Sequence, residues 1–188
     1  MLRRACPACG IRLRQPKCAN YHLPRIIMTA SDYQAVVYDP QAAPGFALGL
    51  RCNDDEILAI EFLEPRAAIS PKTPLAREAV RQLSAYLRNS QFAFALPLAP
   101  AGTPFQRRVW QGISAIPCGK TSTYGELAAS IHSGPRAVGN ACGANPYPLA
   151  VPCHRVIASG GGLGGFARER GGLLLEIKRW LLAHEQPR

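Results

Sequence analysis

The hydrophobic and polar positions along the first third of the chain predict three β-strands. Each candidate strand is rich in Val, Ile, Phe and Tyr, and turn-forming residues separate it from the next. Because the connections are short, we expect the strands to form an antiparallel meander. The candidate strands cover residues 33–39, 45–52 and 56–63.

A hydrophobic stripe with helical spacing follows the strands and predicts an amphipathic helix over residues 73–89. Beyond this helix, residues 97–102 hold two prolines and a glycine but no charge. That composition favours a linker between two halves of the chain. The hydrophobic stripe consists of Leu75, Ala79, Leu83 and Leu87.

Two capping boxes predict helices in the second half. Thr103 and Thr123 each stand three residues before a Gln or Glu, so that side chains can satisfy the free N–H groups at a helix start. A Ser-Gly-Pro sequence then ends the second helix and begins a third. The last two helices form a helix-turn-helix pattern, which many proteins that bind nothing also show. The predicted helices cover residues 104–113, 123–131 and 135–142.

Gly139 lies inside the third of these helices, where glycine costs about 1 kcal/mol relative to alanine. Close approach of the helix to another backbone would explain it. That backbone could belong to the protein or to DNA, and the pattern alone favours tight packing within the protein.

The chain of 188 residues carries an uneven excess of positive charge. Lys and Arg number 22 and Asp and Glu number 12, which gives +10 and attracts polyanions such as nucleic acid. Residues 1–27 hold six of the basic residues and no acidic one, which leaves +4 for the remainder. No long apolar run follows the basic N-terminus, so no signal peptide is predicted. The uncharged stretch at residues 90–106 is interrupted by prolines, so it is not expected to form a membrane-spanning helix.

The seven cysteines are odd in number and follow no export signal, which predicts reduced thiols in a cytosolic protein. Four side chains near the N-terminus could surround one zinc ion. Two other interpretations of residues 1–27 stay open: a disordered basic tail, and a translation start at Met28. The candidate zinc ligands are Cys6, Cys9, Cys18 and His22.

The sharpest chemical signal surrounds Cys153. Residues 149–151 predict a short apolar strand that delivers Cys153 and His154 at its end. Positive charge on His154 and Arg155 would lower the pKa of the thiol and favour the reactive thiolate. Adjacent residues on a strand point to opposite faces, so a contact between Cys153 and His154 requires a turn or a bridging water.

The end of the chain predicts a helix over residues 173–185, preceded by a glycine-rich loop at 160–172. That loop could close over a ligand or lie on the surface. Glu185 stands at the C-terminal end of the helix, where the helix dipole disfavours a carboxylate. A relay from Cys153 through His154 to Glu185 would explain the acid, although frayed helix ends also tolerate one. The helix is expected to bury Leu174, Ile177, Leu181 and Leu182.

These motifs together resemble the O6-alkylguanine-DNA alkyltransferases (methylated-DNA–protein-cysteine S-methyltransferases), which repair alkylated DNA directly. The resemblance is continuous over residues 103–185 and only topological over 33–97. Six motifs occur in the family's order: TPFQRRVW at 103–110, IPCG at 116–119, TYGELA at 123–128, RAVG at 136–139, PCHRV at 152–156 and WLLAHE at 180–185.

The resemblance implies a role for each matched site residue. Cys153 would accept the alkyl group irreversibly, and His154, held by Glu185, would deprotonate it through a water. Tyr124 would assist the departing guanine. Asn145 would join the helix-turn-helix to the active-site strand as a hinge.

The resemblance also implies how DNA is bound. Arg136 would enter the duplex and fill the space of the flipped base. Ala137, Gly139 and Ala141 would be small because their helix lies in the minor groove. The partner would be double-stranded DNA containing O6-alkylguanine, with O4-methylthymine as a further candidate substrate. No cofactor and no metal would take part in the transfer, and the protein would act as a cytoplasmic monomer.

The expected fold is α/β in two parts. A small antiparallel sheet with a helix, of ribonuclease H-like type, would occupy residues 28–100 after a basic, cysteine-containing tail at 1–27. A mostly helical, winged-helix-like domain with the helix-turn-helix would occupy residues 101–188.

Two features depart from the family pattern. Phe166 stands where many members have a tyrosine, and the loop before the last helix is several residues longer than in compact members. Three other functions stay open: a non-catalytic binder of alkylated DNA that recruits other repair, a zinc-bearing DNA-binding regulator, and a thiol hydrolase using Cys153.

Overall fold

A computed structural model describes residues 33–38, 45–169 and 171–187 of the chain. The candidate zinc ligands Cys6, Cys9, Cys18 and His22 lie outside the described residues, and so does the candidate start at Met28.

The predicted antiparallel meander is confirmed. Strands β1 (Ala35–Tyr38), β2 (Ala47–Cys52) and β3 (Ile57–Leu63) pair in the order β1-β2-β3. The outer edge of β3 is covered by later parts of the chain, since the Ile60 N–H donates to the Pro146 carbonyl over 2.9 Å. The sheet is thereby joined directly to the segment that leads to Cys153.

The first helix, α1 (Pro74–Arg88), packs against β1 and β2. Thr73 caps its N-terminus, and the buried face contains Ala79, Leu83 and Leu87 as predicted. Leu75 is only half-buried. The same face includes Tyr86, whose ring lies inward and whose hydroxyl reaches the second half of the chain.

Both predicted capping boxes are present. Helices α2 (Pro104–Ser114) and α3 (Tyr124–Ser130) begin at Thr103 and Thr123, and α4 (Pro135–Gly143) follows α3 after a short break. Strand β4 (Ser122–Thr123) pairs in parallel with β5 (Val156–Ile157), a pairing that the hydrophobic pattern did not predict.

The strand predicted at residues 149–151 is wrong: these residues form a turn. Prolines at 148 and 152 lack the N–H groups that a ladder needs, and Leu149 takes a positive φ of 73°. The turn leads directly into a 3₁₀ helix, Cys153–Arg155. The chain therefore bends at Cys153, which removes the restriction that an extended strand would place on its neighbour His154.

The predicted linker is hydrogen-bonded to the sheet. Ile57 donates to the Pro97 carbonyl over 2.7 Å and accepts from the Ala99 N–H over 2.9 Å. One hydrophobic core takes in residues of both halves, such as Leu48 from β2 and Trp110 from α2.

The predicted last helix is confirmed as α5 (Gly172–His184), but its buried face differs from the predicted one. Ile177 and Leu181 are buried, whereas Leu174 and Leu182 are only half-buried. Lys178 is completely buried, which the sequence analysis did not predict. No helix of the described residues is long and apolar enough to cross a membrane.

Candidate active site

Cys153 lies in the core, with 6% of its surface exposed, at the start of the 3₁₀ turn. Burial raises the pKa of the Cys153 thiol, and a hydrogen bond with Asn145 and the Lys178 ammonium only partly offset the burial. The expectation of a lowered pKa was wrong, and the positive charge that acts on the thiol is that of Lys178 rather than that of Arg155. A protonated thiol of this kind needs a base before it can react.

Asn145 connects the end of α4 to the turn that carries Cys153. Its side-chain amide donates to the Val151 carbonyl over 2.8 Å, and its carbonyl oxygen accepts from the Tyr147 N–H over 2.9 Å. Asn145 thus satisfies two backbone hydrogen-bonding groups of this turn that no neighbouring strand pairs with.

His154 lies against Glu185. Its Nε2 is 2.9 Å from Oε1 of Glu185, and each of the two side chains is 1% exposed. An ionised carboxylate only accepts hydrogen bonds, so Nε2 must carry the proton of the neutral ring. The lone pair then lies on Nδ1, which is buried and has no hydrogen-bond partner among the described residues. Burial lowers the pKa of His154, so the neutral ring is available as a base.

Glu185 accepts five hydrogen bonds although it is almost completely buried. Burial alone would raise its pKa, but the donors on His154, Arg155 and Tyr86 outweigh burial and hold the pKa well below its ordinary value. These donors explain how an acid is tolerated at the C-terminal end of α5, and its burial excludes a frayed end. The bonds come from His154 Nε2, Arg155 Nε and Nη2, the Tyr86 hydroxyl and the Gly119 N–H.

Arg155 was not assigned to the site from the sequence. Its guanidinium binds Glu185 through two nitrogens, each over 2.8 Å, and also donates to the Ile116 carbonyl over 2.6 Å. Gly119, in the same loop as Ile116, has a φ of 73°, and a Cβ there would lie 2.7 Å from the Glu185 carbonyl oxygen. The IPCG motif therefore needs its glycine for close approach to Glu185.

Lys178 was also missed. Its ammonium donates to the carbonyls of Val156, Leu163 and Gly165, over 2.7, 2.5 and 3.1 Å. Burial lowers the pKa of Lys178 to about 8. Its position on the same helical stripe as Leu174, Ile177 and Leu181 was the available signal, because a lysine there has to find polar partners inside.

Tyr124 begins α3 and shares an acceptor with Lys178. Its hydroxyl donates to the Gly165 carbonyl over 3.0 Å, and burial raises its pKa to about 12. Gly164 has a φ of 67°, and a Cβ there would lie 2.8 Å from the Tyr124 ring. The glycine-rich loop is therefore packed against Tyr124 and tied down by Lys178.

Phe166 is buried in the same loop. Its ring lies 5.4 Å from that of Phe62 in β3, measured between centroids. The position at which many resembling proteins have a tyrosine is here part of the hydrophobic core.

Arg136 differs from the buried, hydrogen-bonded residues around Glu185. It is exposed near the start of α4 and makes no hydrogen bond or ion pair with any described residue. Ala137 and Gly139 are half-buried on the same helix. A Cβ on Gly139 would meet only the Tyr124 ring, at 3.9 Å, which is ordinary contact. Packing within the protein therefore does not require this glycine.

Ala141 does not share that surface. It is 2% exposed, and its carbonyl accepts a hydrogen bond from the Trp110 indole over 2.8 Å. Ala141 is therefore buried in the protein, and its DNA contact stays a prediction.

Comparisons with known proteins show the family of the chain. The family description "6-O-methylguanine DNA methyltransferase, DNA binding domain" matches residues 104–187. A methylated-DNA–protein-cysteine methyltransferase of Methanosarcina barkeri is 39% identical over 157 residues, which are 79% of this chain and 96% of that protein. The chain belongs to the methylated-DNA–protein-cysteine methyltransferase family.

The share of a relative that this methyltransferase family member matches differs from one relative to another. Regulatory protein ada of Salmonella typhimurium is 43% identical over 117 residues, which are 61% of this chain but only a third (33%) of that relative. The crystal structure of Mycobacterium tuberculosis OGT in complex with DNA has a TM-score of 0.63 and 34% identity over 80% of this chain and 92% of that one.

Proposed function

We propose that this chain repairs DNA by transferring the alkyl group of O6-alkylguanine irreversibly to its own Cys153. The observation that carries the proposal is the buried pair of His154 and Glu185, which lies next to a buried Cys153. Cys153 and His154 are adjacent in the 3₁₀ turn, burial raises the pKa of the thiol, and the free lone pair of the neutral imidazole is on Nδ1. The partner is double-stranded DNA, which supplies the alkylated base.

The Cys153 thiol loses its proton before its sulfur attacks the alkyl carbon. A water between Cys153 and His154 relays the thiol proton to Nδ1, and the ionised Glu185 stabilises the imidazolium that results. The Lys178 ammonium stabilises the thiolate by its charge. The raised pKa of the thiol explains why the relay is needed, because the thiolate would otherwise be scarce.

The transfer itself exchanges one bond for another. The Cys153 sulfur forms a bond to the alkyl carbon, and the bond from that carbon to O6 breaks with its electron pair passing to the base. Tyr124 donates a hydrogen bond or proton to the departing guanine, after its hydroxyl releases the Gly165 carbonyl. The thioether product is too stable to hydrolyse, so each molecule acts once.

Access to a buried thiol requires the alkylated nucleotide to leave the stack. Arg136 enters the duplex and fills the space that the base vacates. Ala137 and Gly139 allow the backbone of α4 to approach the minor groove closely. Packing within the protein does not require the glycine, since a Cβ there would make only an ordinary contact with the Tyr124 ring, and this supports the role. Asn145 acts as the hinge between this helix and the Cys153 turn.

We infer a ribonuclease H-like arrangement for residues 28–100 and a winged-helix-like arrangement for residues 101–188, with α3 and α4 as the helix-turn-helix. The protein acts as a monomer in the cytoplasm.

The stoichiometry of transfer tests the function. A duplex carrying O6-methylguanine with a labelled methyl group is mixed with increasing amounts of protein. We expect one label per protein molecule, no release of label as methanol, and restored guanine in the duplex. Continued turnover with released label would indicate the thiol hydrolase, and binding without transfer would indicate the non-catalytic binder.

A further inference from the structure

Glu185 receives one hydrogen bond from outside the region that the family description matches. The Tyr86 hydroxyl, on α1, donates to Oε1 over 2.7 Å across 99 residues of sequence. The other donors, on His154, Arg155 and Gly119, all lie within residues 104–187. The first half of the chain thus contributes directly to the carboxylate that holds His154.

Tyr86 is itself held in place from both sides. Its ring packs 5.4 Å from Phe94 and 5.6 Å from His184, measured between centroids. His184 bonds the Tyr86 backbone carbonyl through Nε2 over 2.9 Å, and its ring stacks on Trp180 at 4.7 Å. The end of α1 and the end of α5 are therefore fastened together at two points, one of which is the hydroxyl on Glu185.

Tyr86 can act on Glu185 only as a donor. Burial and the neighbouring carboxylate raise the pKa of its hydroxyl far above the ordinary value, so it keeps its proton. Oxygen Oε1 then shares its negative charge among three donors, on Tyr86, Arg155 and His154. A stronger hydrogen bond from the Tyr86 hydroxyl makes Oε1 a weaker acceptor for His154. The carboxylate then stabilises a proton on the imidazole less.

We propose that Tyr86 is a positioning residue of the alkyl-transfer relay, which sets the basicity of His154 through its hydrogen bond to Oε1 of Glu185. This inference rests on the proposed function. Tyr86 touches neither the thiol nor the alkyl group. It adjusts the base through the carboxylate, and it makes the first half of the chain a part of the reacting site.

The charges around this network determine the sign of the expected effect. Glu185 faces His154 and Arg155 from the 3₁₀ turn, Tyr86 from α1, and Cys118 from the loop that also carries Gly119. His154 also senses the Lys178 charge from α5. With Tyr86→Phe, the two bonds from Arg155 still hold the carboxylate in place, so Oε1 becomes a stronger acceptor for His154. The pKa of His154 then rises.

Tyr33→Phe is the matched control. The Tyr33 hydroxyl also donates from a buried ring to a glutamate, Glu61 of β3, over 2.9 Å, but Tyr33 precedes β1 and belongs to a separate hydrophobic cluster. Both variants lose one hydroxyl and one bond to a carboxylate. Only Tyr86→Phe alters the environment of His154.

Two measurements test the proposal on the full chain. The first is the single-turnover rate of methyl transfer from an O6-methylguanine duplex, from acid to mildly alkaline pH. We expect Tyr86→Phe to move the acid limb of the profile upward by about half a pH unit, which is about a threefold loss of rate on that limb. Tyr33→Phe should keep the wild-type midpoint. A Tyr86→Phe profile that keeps its midpoint, or moves it downward, would overturn the proposal.

The second measurement needs no alkyl transfer. Nitrogen NMR of labelled imidazoles follows the protonation of His154 in the wild type and in both variants. An upward shift of its pKa in Tyr86→Phe alone supports the positioning role, and an unchanged or lowered value contradicts it. A wild-type protein that accepts no methyl group would contradict the proposed function, while the NMR titration would still test Tyr86.

Discussion

The surroundings of Cys153 and the exposed surface of α4 differ in almost every physical respect. The thiol, His154 and Glu185 are buried, and the carboxylate accepts five hydrogen bonds from its own chain. Arg136 is exposed and has no hydrogen-bond or ion-pair partner among the described residues. The proposed reacting groups are held in place by hydrogen bonds within the protein, whereas the proposed DNA-binding side chain Arg136 has no such bonds among the described residues.

This difference separates two kinds of mutational effect. A change in the buried cluster alters chemistry or stability whether or not DNA is present, because its partners are inside the protein. We expect a change on the exposed surface of α4, at Arg136 for example, to leave the isolated protein almost unaltered and to have its effect only with duplex DNA.

The largest effect is expected for Cys153→Ser. A serine hydroxyl is a far poorer nucleophile than a thiolate, so methyl acceptance should be lost completely while binding to lesion-containing duplex persists. Transfer of labelled methyl and a gel-shift titration measure the two properties. Cys52→Ser is the control, since Cys52 is buried in β2 beside Thr73, and it should still accept one methyl group. Lesion removal by Cys153→Ser would contradict the acceptor assignment.

Glu185→Gln should be the most destabilising of these variants. It leaves the partly buried Arg155 guanidinium without its counter-ion, which costs about 3 kcal/mol of unfolding free energy or more. Urea denaturation near neutral pH measures the loss. Glu61→Gln removes a half-exposed pair with Arg51 and should cost much less. Equal losses of unfolding free energy in the two variants would show that burial does not determine how much the Glu185 ion pair contributes to stability.

The stability lost in Glu185→Gln should depend on pH. Because the folded pKa of Glu185 is held below the ordinary 4.5, its stabilising effect is fully present above 4.5. It is lost progressively as the pH falls below 4.5 toward the folded pKa. The difference in unfolding free energy between wild type and Glu185→Gln should therefore shrink under acid conditions. A difference that grows with acid would reverse the sign and contradict the ionised relay.

Arg136→Ala should separate duplex repair from chemistry. We expect repair in a duplex to slow by about tenfold or more, because the flipped-out state loses the side chain that fills its space. Transfer from free O6-benzylguanine should stay within about twofold, since the buried relay is untouched. Arg77→Ala, an exposed arginine on α1, should change neither rate. Equal losses with the duplex and with the free base would exclude the finger role.

The smallest effect is expected for Gly139→Ala. The added methyl meets only the Tyr124 ring at an ordinary distance, so stability should be unchanged or increase by up to about 1 kcal/mol. Duplex repair should nevertheless fall a few-fold, because the methyl separates α4 from the groove. Thermal unfolding and duplex repair rates are measured on the same sample. A loss of stability without a loss of repair would instead assign Gly139 to packing within the protein.

The sequence predicted the elements whose signals are local. Both capping boxes, the meander and the last helix depend on residues close together in the chain. The strand predicted at 149–151 failed because the bond from Asn145 to Val151 replaces a ladder with a turn. The parallel pairing of β4 with β5 joins residues 34 apart, and no local pattern marks it.

The site shows the same limit. The motifs pointed to Cys153, His154 and Glu185, and the structure places the last two in contact. They did not show that Arg155 would bind the carboxylate, or that Tyr86 would reach it from α1. Those partners depend on how the two halves pack. Arg136 remains a prediction, because only a bound duplex can reveal its contacts.

Peptide mass analysis after incubation with an O6-methylguanine duplex tests the transfer most directly. We predict a gain of one methyl group per molecule, located on Cys153 by fragmentation of its peptide. Cys142, which is buried on α4 and interacts with the charge of Cys153, lies on the same tryptic peptide, and the fragment ions should show it unmodified. A methyl group on another residue, or none at all while the lesion persists, would contradict Cys153 as the acceptor.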